Sequence, residues 1–304
     1  MLRSLLVPLD GTRFSELALP LAEGIAQATG ASLHLAHVHV PHPPEALLAN
    51  TQFVYEGVNM EEYEHQDRTW EQTYLAALAE RVARESAAQV DTALLEGEIS
   101  TTLETYARQV GADAVVISTH SRTGVRRVWM GSVAEALIRA GDVPVLAVHA
   151  EEGDPVGPPL TLHNILVPLD GSELSESILP PAIELGIAFG ARVTLLQVVS
   201  SRFPSSNGLV PALPQHWTEA LQAGEDYLER VARRIRVRGL RVEPIVMAHS
   251  SPSTAIRDVA EEVRADLVAM ATHGYTGMKR ALFGSVAEDV LRHTRVPLLV
   301  RRPV

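Results

Sequence analysis

Two sequence blocks carry residue types suited to binding a phosphorylated ligand, and each block occurs twice. The first is residues 168–172 (PLDGS), which matches residues 8–12 (PLDGT). The second is residues 271–274 (ATHG), followed by nine residues and then Gly284-Ser285-Val286. A carboxylate at a strand end, such as Asp170, can accept hydrogen bonds from ribose hydroxyls. A glycine before a helix lets backbone N–H groups approach a phosphate, whose negative charge the helix N-terminus favours.

The same residues also have an ordinary structural interpretation. Asp-Gly is a common turn, and Gly-Ser is a common helix start in which the serine caps the helix. Glycine-rich patterns are weak evidence for a ligand when they stand alone. Spacing by itself therefore leaves both interpretations open.

An internal repeat shows how these blocks are arranged along the chain. Residues 6–11 (LVPLDG) recur letter for letter 160 residues later, and residues 131–135 (GSVAE) recur 153 residues later. The chain is thus predicted to contain one fold twice, in domains 1–150 and 161–304. Residues 151–160, which are rich in proline, glycine and acidic residues, are predicted to be a linker.

Strand and helix patterns alternate within each repeat. The predicted strands are 2–9, 32–40, 92–95, 114–119 and 144–148, and helices are predicted around 14–25 and at 61–88, 101–110 and 132–140. We expect Ser15 to cap the first helix, Gly30 to end it, and Pro20 and Pro180 to kink it or delay its start. The order predicts an α/β fold with a mostly parallel sheet covered on both faces.

The second helix carries an apolar stripe that predicts packing against the sheet. Its members are Tyr63, Trp70, Tyr74, Leu75 and Leu78.

The combination of VPLDG, THGxTG, GSVAE and VPLLV resembles the universal stress protein family, in tandem form, over nearly the whole chain. The resemblance implies two doubly wound domains, each with a five-stranded parallel sheet of order 3-2-1-4-5. That order places the loops after strands one and four side by side, where such sheets bind ligands. Family members that bind ATP carry Gly-x2-Gly-x9-Gly-Ser/Thr.

The family motif is better kept in the second domain. There it departs only at Ala271, whereas the first domain has Ser118 and Ser121 in place of both early glycines. We therefore expect ATP mainly in the second domain. By resemblance its contacts there are Pro168, Leu169, Asp170, Val198, Met270, Gly274, Gly284, Ser285 and Val286. The equivalents in the first domain are Pro8, Leu9, Asp10, Val38, Ile117, Gly131, Ser132 and Val133.

Cationic residues lie in the loops before the Gly-Ser pairs. Arg122, Arg126 and Arg127 precede the first pair, and Lys279 and Arg280 precede the second. They could steer a triphosphate toward the site, or they could form a solvated charged surface.

Other candidate chemistry is weaker. His34, His37, His39 and His42 cannot all converge, because strand alternation places His37 and His39 on one face and His34 on the other. We expect no metal held by the protein, and Mg²⁺ would instead accompany the ATP phosphates. His120 and His273, beside the predicted phosphate loop of each half, could be read as general bases, but the sequence supplies neither an activated nucleophile nor a Walker lysine. A dedicated enzyme is not expected, although slow ATP hydrolysis stays open.

Composition excludes several classes of protein. The 304 residues carry a net charge of −11, against the basic surface that wrapping nucleic acid requires. The absence of cysteine excludes disulfides and thiol chemistry. No stretch reaches the roughly 20 apolar residues of a membrane span. We expect a cytoplasmic protein with neither nucleic acid nor membrane as partner.

The last strand of each repeat, 143–148 and 296–300, is a candidate sheet edge. The resemblance implies dimerisation through this strand, and in a tandem chain the two copies can instead pair with each other. The leading hypothesis is a stress-response sensor or interaction module that binds ATP and acts on a protein partner not identified by the sequence. The alternatives are an interaction protein without nucleotide and a weak ATPase.

Overall fold

The computed structural model describes residues 2–41, 60–120, 131–141, 143–151, 153–200, 215–272 and 283–303. The first half contains strands β1 (Ser4–Leu9), β2 (Ser32–His39), β3 (Val90–Glu96), β4 (Ala114–His120) and β5 (Val145–Ala150). Its helices are a 3-10 helix (Ser15–Ala18), α1 (Leu19–Thr29), α2 (Met60–Ser86), α3 (Ile99–Gln109) and α4 (Ser132–Ala140).

The second half repeats this order of elements. Its strands are β6 (Asn164–Pro168), β7 (Arg192–Ser200), β8 (Arg241–His249), β9 (Leu267–Ala271) and β10 (Leu298–Arg301). Its helices are α5 (Glu173–Glu176), α6 (Leu179–Phe189), α7 (Gln215–Arg236), α8 (Pro252–Glu262) and α9 (Ser285–His293).

In the described part of the chain, ten strands form one sheet in the order β3-β2-β1-β4-β5-β10-β9-β6-β7-β8. Within each half the neighbouring strands are parallel and follow the order 3-2-1-4-5, so the predicted fold class is confirmed. The halves meet where β5 and β10 pair antiparallel, with Leu146 opposite Leu299. The last strands therefore pair with each other within the chain.

Two hydrophobic cores cover the faces of the sheet, and each runs through both halves. Strand alternation sends Leu5 into the core beneath α1, α2, α6 and α7, and the next residue, Leu6, into the core beneath α3, α4, α8 and α9. Both leucines are fully buried. The apolar runs in the strands are explained by this burial on both faces.

The first helix of each half starts late, as its prolines predicted. A 3-10 helix precedes α1, and Pro20 lies in the first turn of α1, where its missing N–H costs no hydrogen bond. The prediction that Ser15 caps this helix is wrong, because the N-cap of the 3-10 helix is Phe14 and that of α1 is Ala18. Gly30 ends α1 with a φ of +74°, as predicted.

The long helix α2 only partly follows its predicted stripe. Leu75 and Leu78 are buried in the core. The prediction of burial is wrong for Trp70, since 57% of its surface is exposed. Its indole stacks on the Tyr74 ring instead, at 5.6 Å between centroids and 8° between planes.

The segment between β5 and β6 packs against α1. The Leu160 backbone N–H donates to the Pro20 carbonyl at 2.7 Å. A Cβ on Gly24 would lie 1.8 Å from the Leu160 carbonyl oxygen, so only glycine allows this approach. Among the described residues, each helix is too short or too polar to span a bilayer.

Candidate functional site

The loop after the first strand of each half is built around its aspartate. Oδ1 of Asp170 accepts hydrogen bonds from the backbone N–H of Ser172 at 3.0 Å and from its hydroxyl at 2.6 Å. Asp10 makes the same two bonds with Thr12, at 2.9 and 2.5 Å. Gly171 supplies the φ of +86° that the turn requires. Asp-Gly is therefore a turn that also places a carboxylate at the sheet edge.

A serine five residues after the aspartate fastens this loop. The Ser175 hydroxyl accepts from the Asp170 backbone N–H at 3.3 Å and donates to the Ser172 carbonyl at 2.8 Å. Ser15 makes the equivalent bonds in the first half, at 3.3 and 2.8 Å.

Next to that serine, a glutamate ties the loop to the long helix. Glu176 accepts from the Tyr227 hydroxyl at 3.0 Å and from the Arg234 guanidinium at 2.6 Å. Burial, together with the Glu176 carboxylate, raises the pKa of the Tyr227 hydroxyl, which stays protonated and donates. The first half repeats the arrangement with other residues. These are Glu16, Tyr74 and Arg81.

The last helix of each half begins at the Gly-Ser pair. Gly284 is the N-cap of α9, and its N–H donates to the Thr272 carbonyl at 2.7 Å. Ser285 and Ser132 are the first helical residues and not the predicted caps. Because glycine has no side chain, neither N-cap supplies a capping hydrogen bond to the first-turn N–H groups of its helix.

These elements enclose a cavity at the carboxyl edge of each half. The cavity of the second half measures about 470 Å³ and that of the first about 500 Å³, within the usual range for small-molecule sites. The second cavity is lined by all the predicted residues that the structure describes: Pro168, Leu169, Asp170, Val198, Met270, Gly284, Ser285 and Val286. The first is lined by all eight equivalents: Pro8, Leu9, Asp10, Val38, Ile117, Gly131, Ser132 and Val133.

Several predicted residues lie outside the described part of the chain. They are His42, Ser121, Arg122, Arg126, Arg127, His273, Gly274, Lys279 and Arg280. The residues at the first glycine position of the family motif, Ser118 and Ala271, are within the described part of the chain. Ser118 lines the first cavity and Ala271 lines the second.

The structure also adds lining residues that the sequence did not single out for the cavities. In the second cavity these include Ser175, Ser200, Ser250 and Ile256. In the first they include Ser15, His37, Glu71 and Ile99. Ser15 and Ser175 lie 160 residues apart, so the repeat itself could have revealed them. Glu71 comes from a distant helix, and no sequence signal points to it.

The histidines of β2 divide between the two faces of the sheet, as predicted. His37 and His39 both contact Glu71, whereas the His34 ring lies 6.4 Å from that of Tyr106 on the other face. Among the described residues, no group of three or more His, Asp and Glu side chains is arranged to hold a metal ion.

Comparison with known proteins yields the same family for both halves. A model of the universal stress protein family matches residues 1–149 and again residues 161–302. Universal stress protein MJ0531 of Methanocaldococcus jannaschii is 34% identical over 141 residues, covering 45% of this chain and 79% of that protein.

Two further proteins match across both halves. Universal stress protein Rv1996 of Mycobacterium tuberculosis is 26% identical over 316 residues, covering 98% of this chain and 94% of that protein. The crystal structure of a universal stress protein from Archaeoglobus fulgidus has a TM-score of 0.71 at 15% identity. It covers 99% of this chain and 98% of its own, a likeness of fold.

Proposed function

The chain belongs to the universal stress protein family as a tandem member, and from that premise we propose that it binds ATP, mainly in its second domain. In this proposal the protein is a stress-response sensor or interaction module and not a dedicated enzyme. ATP binding would favour one arrangement of the elements around the cavity and so alter a surface that a protein partner reads.

The observation that carries the proposal is the set of chemical groups that line the second cavity. The Asp170 carboxylate, the apolar side chains of Val198 and Met270, and the start of α9 at Gly284 all line it. These suit a ribose, a base and phosphates, respectively. Mg²⁺ would be carried in with the phosphates.

The residues of the second cavity have distinct roles in this proposal. Asp170 would accept hydrogen bonds from the ribose hydroxyls, held in place by its turn with Ser172. Backbone N–H groups of Ser285 and Val286 would donate to phosphate oxygens, and the Ser285 hydroxyl would add a further donor. The expected preference of ATP for the second cavity rests on the family motif. The second half has the motif glycine at Gly274, whereas the first half has Ser121 at the corresponding position.

Nucleotide content and calorimetry test the proposal. Protein purified without added nucleotide is extracted and assayed for adenine nucleotide per chain, and the stripped protein is then titrated with ATP. We expect adenine nucleotide in the extract and a saturable ATP site. No nucleotide and no binding heat would refute the proposal and favour an interaction protein without nucleotide. Phosphate release above background that disappears in Ser285→Ala would instead favour a weak ATPase.

A further inference from the structure

A buried cluster of histidine and glutamate joins β2 to the long helix α2 beside the first cavity. The Glu71 carboxylate accepts from His37 Nε2 at 3.1 Å and from His39 Nδ1 at 2.8 Å. The other ring nitrogen of His39, Nε2, lies 2.8 Å from an oxygen of Glu64. His39 is 1% exposed and Glu71 is also buried, whereas the Glu64 side chain is 24% exposed.

The geometry of His39 fits a proton on each ring nitrogen, because each nitrogen faces a carboxylate oxygen. A neutral imidazole has a single N–H and presents a lone pair at its other nitrogen. A lone pair facing a carboxylate oxygen at 2.8 Å would be repelled, whereas an imidazolium donates to both carboxylates. Burial opposes the charge, but the bonds to Glu64 and Glu71 outweigh it and raise the pKa of His39 above its usual value.

The other titratable and charged groups near the cluster come from four elements. On α2, Arg68 opposes the positive charge of His39, and it pairs with Glu96 of β3 at 3.0 Å. Glu96 is the strand neighbour of His39, and His37 lies on the same face of β2. Asp10, at the end of β1, lines the cavity that His37 and Glu71 also line.

The second half of the chain lacks every member of this cluster. Strand β7 corresponds to β2 with an offset of 160, and α7 corresponds to α2 with an offset of 153, as the paired tyrosines Tyr74 and Tyr227 show. The positions equivalent to His37, His39, Glu64 and Glu71 are filled by other residues. They are Gln197, Val199, Trp217 and Gly224.

We propose that His39, held between Glu64 and Glu71, is a proton-dependent latch that fastens α2 to β2 at the wall of the first cavity. This proposal rests on the proposed function. ATP binding in the first cavity then depends on pH, whereas ATP binding in the second cavity lacks this dependence. The chain then carries two related sites, of which one responds to protons.

The direction of the pH effect follows from the charges. Loss of the proton on His39 removes one hydrogen bond of the latch and its positive charge. Glu71 then adds uncompensated negative charge to a wall that faces a triphosphate, which is repelled. Because the protonated form holds the latch, its contribution is present at low pH and is lost as pH rises through the pKa of His39.

The test uses a substitution that keeps the contact but removes its need for a proton. Glu64→Gln replaces the carboxylate with an amide, which can donate to the unprotonated nitrogen of His39. His34→Gln, on the opposite face of β2, is the matched control. Side-chain NMR follows protonation of His39, and amide hydrogen exchange of α2 is measured without ligand from pH 6 to 9, corrected for intrinsic exchange.

In the unmodified chain, we expect His39 to titrate above its ordinary value and protection of α2 to fall across the same pH range. The His34→Gln variant should behave like the unmodified chain. Glu64→Gln should instead lower the pKa of His39 and flatten the pH dependence of amide protection in α2. A neutral His39 at pH 6, or the same profile in Glu64→Gln and the unmodified chain, would overturn the latch.

A calorimetric measurement in Asp170→Ala protein, where the second site is weakened, reports on the first cavity. ATP affinity there should fall with rising pH, by at most about tenfold per pH unit for one coupled proton. Affinity that stays constant while His39 titrates would overturn the link to the ligand. Absence of ATP binding in both cavities would refute the proposed function. Amide hydrogen exchange of α2 that follows the protonation of His39 would still support the latch.

Discussion

At the scale of single residues, each of the two cavities has one aspartate, and the two carboxylates are held in the same way. Asp10 and Asp170 occupy the same place after their strands, and each is braced by a hydroxyl neighbour and by a serine. A difference in their effect on binding must therefore come from the rest of each cavity.

Replacing each aspartate in turn measures how the binding energy divides between the two cavities. Asp170→Ala removes the proposed acceptor for the ribose and should weaken ATP binding by about 10- to 100-fold, the effect of losing a charged hydrogen-bond partner. Asp10→Ala should change the dominant affinity by less than about twofold. Calorimetry on both variants checks this, and equal losses would contradict the preference for the second domain.

Glu23 is a buried carboxyl group away from both cavities. It is 3% exposed on α1. Burial and the nearby Glu85 raise its pKa from 4.5 to about 7, against the opposing effect of Arg81. The equivalent position in the second half is Ile183.

Glu23 should make the stability of the protein fall between mildly acidic and neutral pH. Its pKa is higher in the folded than in the unfolded chain, so the folded chain binds more protons and loses stability as pH rises toward about 7. Glu23→Gln removes this cost. The variant should be more stable than the unmodified chain by about 1–2 kcal/mol at pH 8 and no more stable at pH 4.

Urea unfolding at both pH values measures the effect of Glu23→Gln. Glu80→Gln, at an exposed position on α2, is the control and should change stability by less than about 0.5 kcal/mol at either pH. A gain in Glu23→Gln that is the same at pH 4 and pH 8 would show that Glu23 does not titrate in this range.

At the scale of elements, the contact between α1 and the inter-repeat segment depends on one missing side chain. Gly24 lets the backbone at Leu160 approach, and Leu160 donates to the Pro20 carbonyl there. The residue of the second half that corresponds to Gly24, 160 positions later, is Glu184, which has a side chain. The close contact through glycine therefore belongs to the first half.

A methyl group at Gly24 should therefore force the segment away from α1. We expect Gly24→Ala to destabilise the chain by about 1–3 kcal/mol, the usual cost of overpacking, although alanine favours helices. Gly157→Ala, in the same segment with open space around it, is the control and should be neutral. Thermal unfolding compares the two, and an unchanged midpoint in Gly24→Ala would disprove the close contact.

At the scale of the whole molecule, the two halves become one body through their last strands. β5 and β10 would each be an exposed edge in an isolated half, and pairing makes a continuous sheet with two continuous cores. Leu299, 1% exposed at this seam, belongs to the core that contains both α1 and α6.

A charge placed at the seam should separate the halves. Leu299→Asp buries a carboxylate without a partner and should cost at least about 3 kcal/mol. Val237→Asp, at a residue 88% exposed, is the control and should change little. Unfolding curves and light scattering check this. The unmodified chain should have the mass of one 33.0 kDa copy, and Leu299→Asp should unfold earlier and associate through its opened edges.

Much of the fold and of the two cavities could be predicted from the sequence because these features are encoded locally. Alternating apolar residues, Pro20 and Gly30 act within a few residues, so the strands and the start and end of the first helix follow from short-range patterns. The resemblance then supplied the strand order. Both blocks follow strand ends that this order places together, which explains why the predicted residues line the same cavity.

What only the tertiary structure decided involves residues far apart in sequence. The pairing of Leu146 with Leu299, the contact of Gly24 with Leu160 and the bridging of His39 by Glu64 and Glu71 depend on how elements pack. Spacing along the chain does not specify such contacts. Trp70 lies in a helical stripe that predicts burial, yet the packing of α2 leaves it exposed. The sequence by itself determined the repeat and the chemistry available at each strand end, because both are local. Packing decided how the halves join and which cavity acquires a buried histidine, because both depend on distance in space.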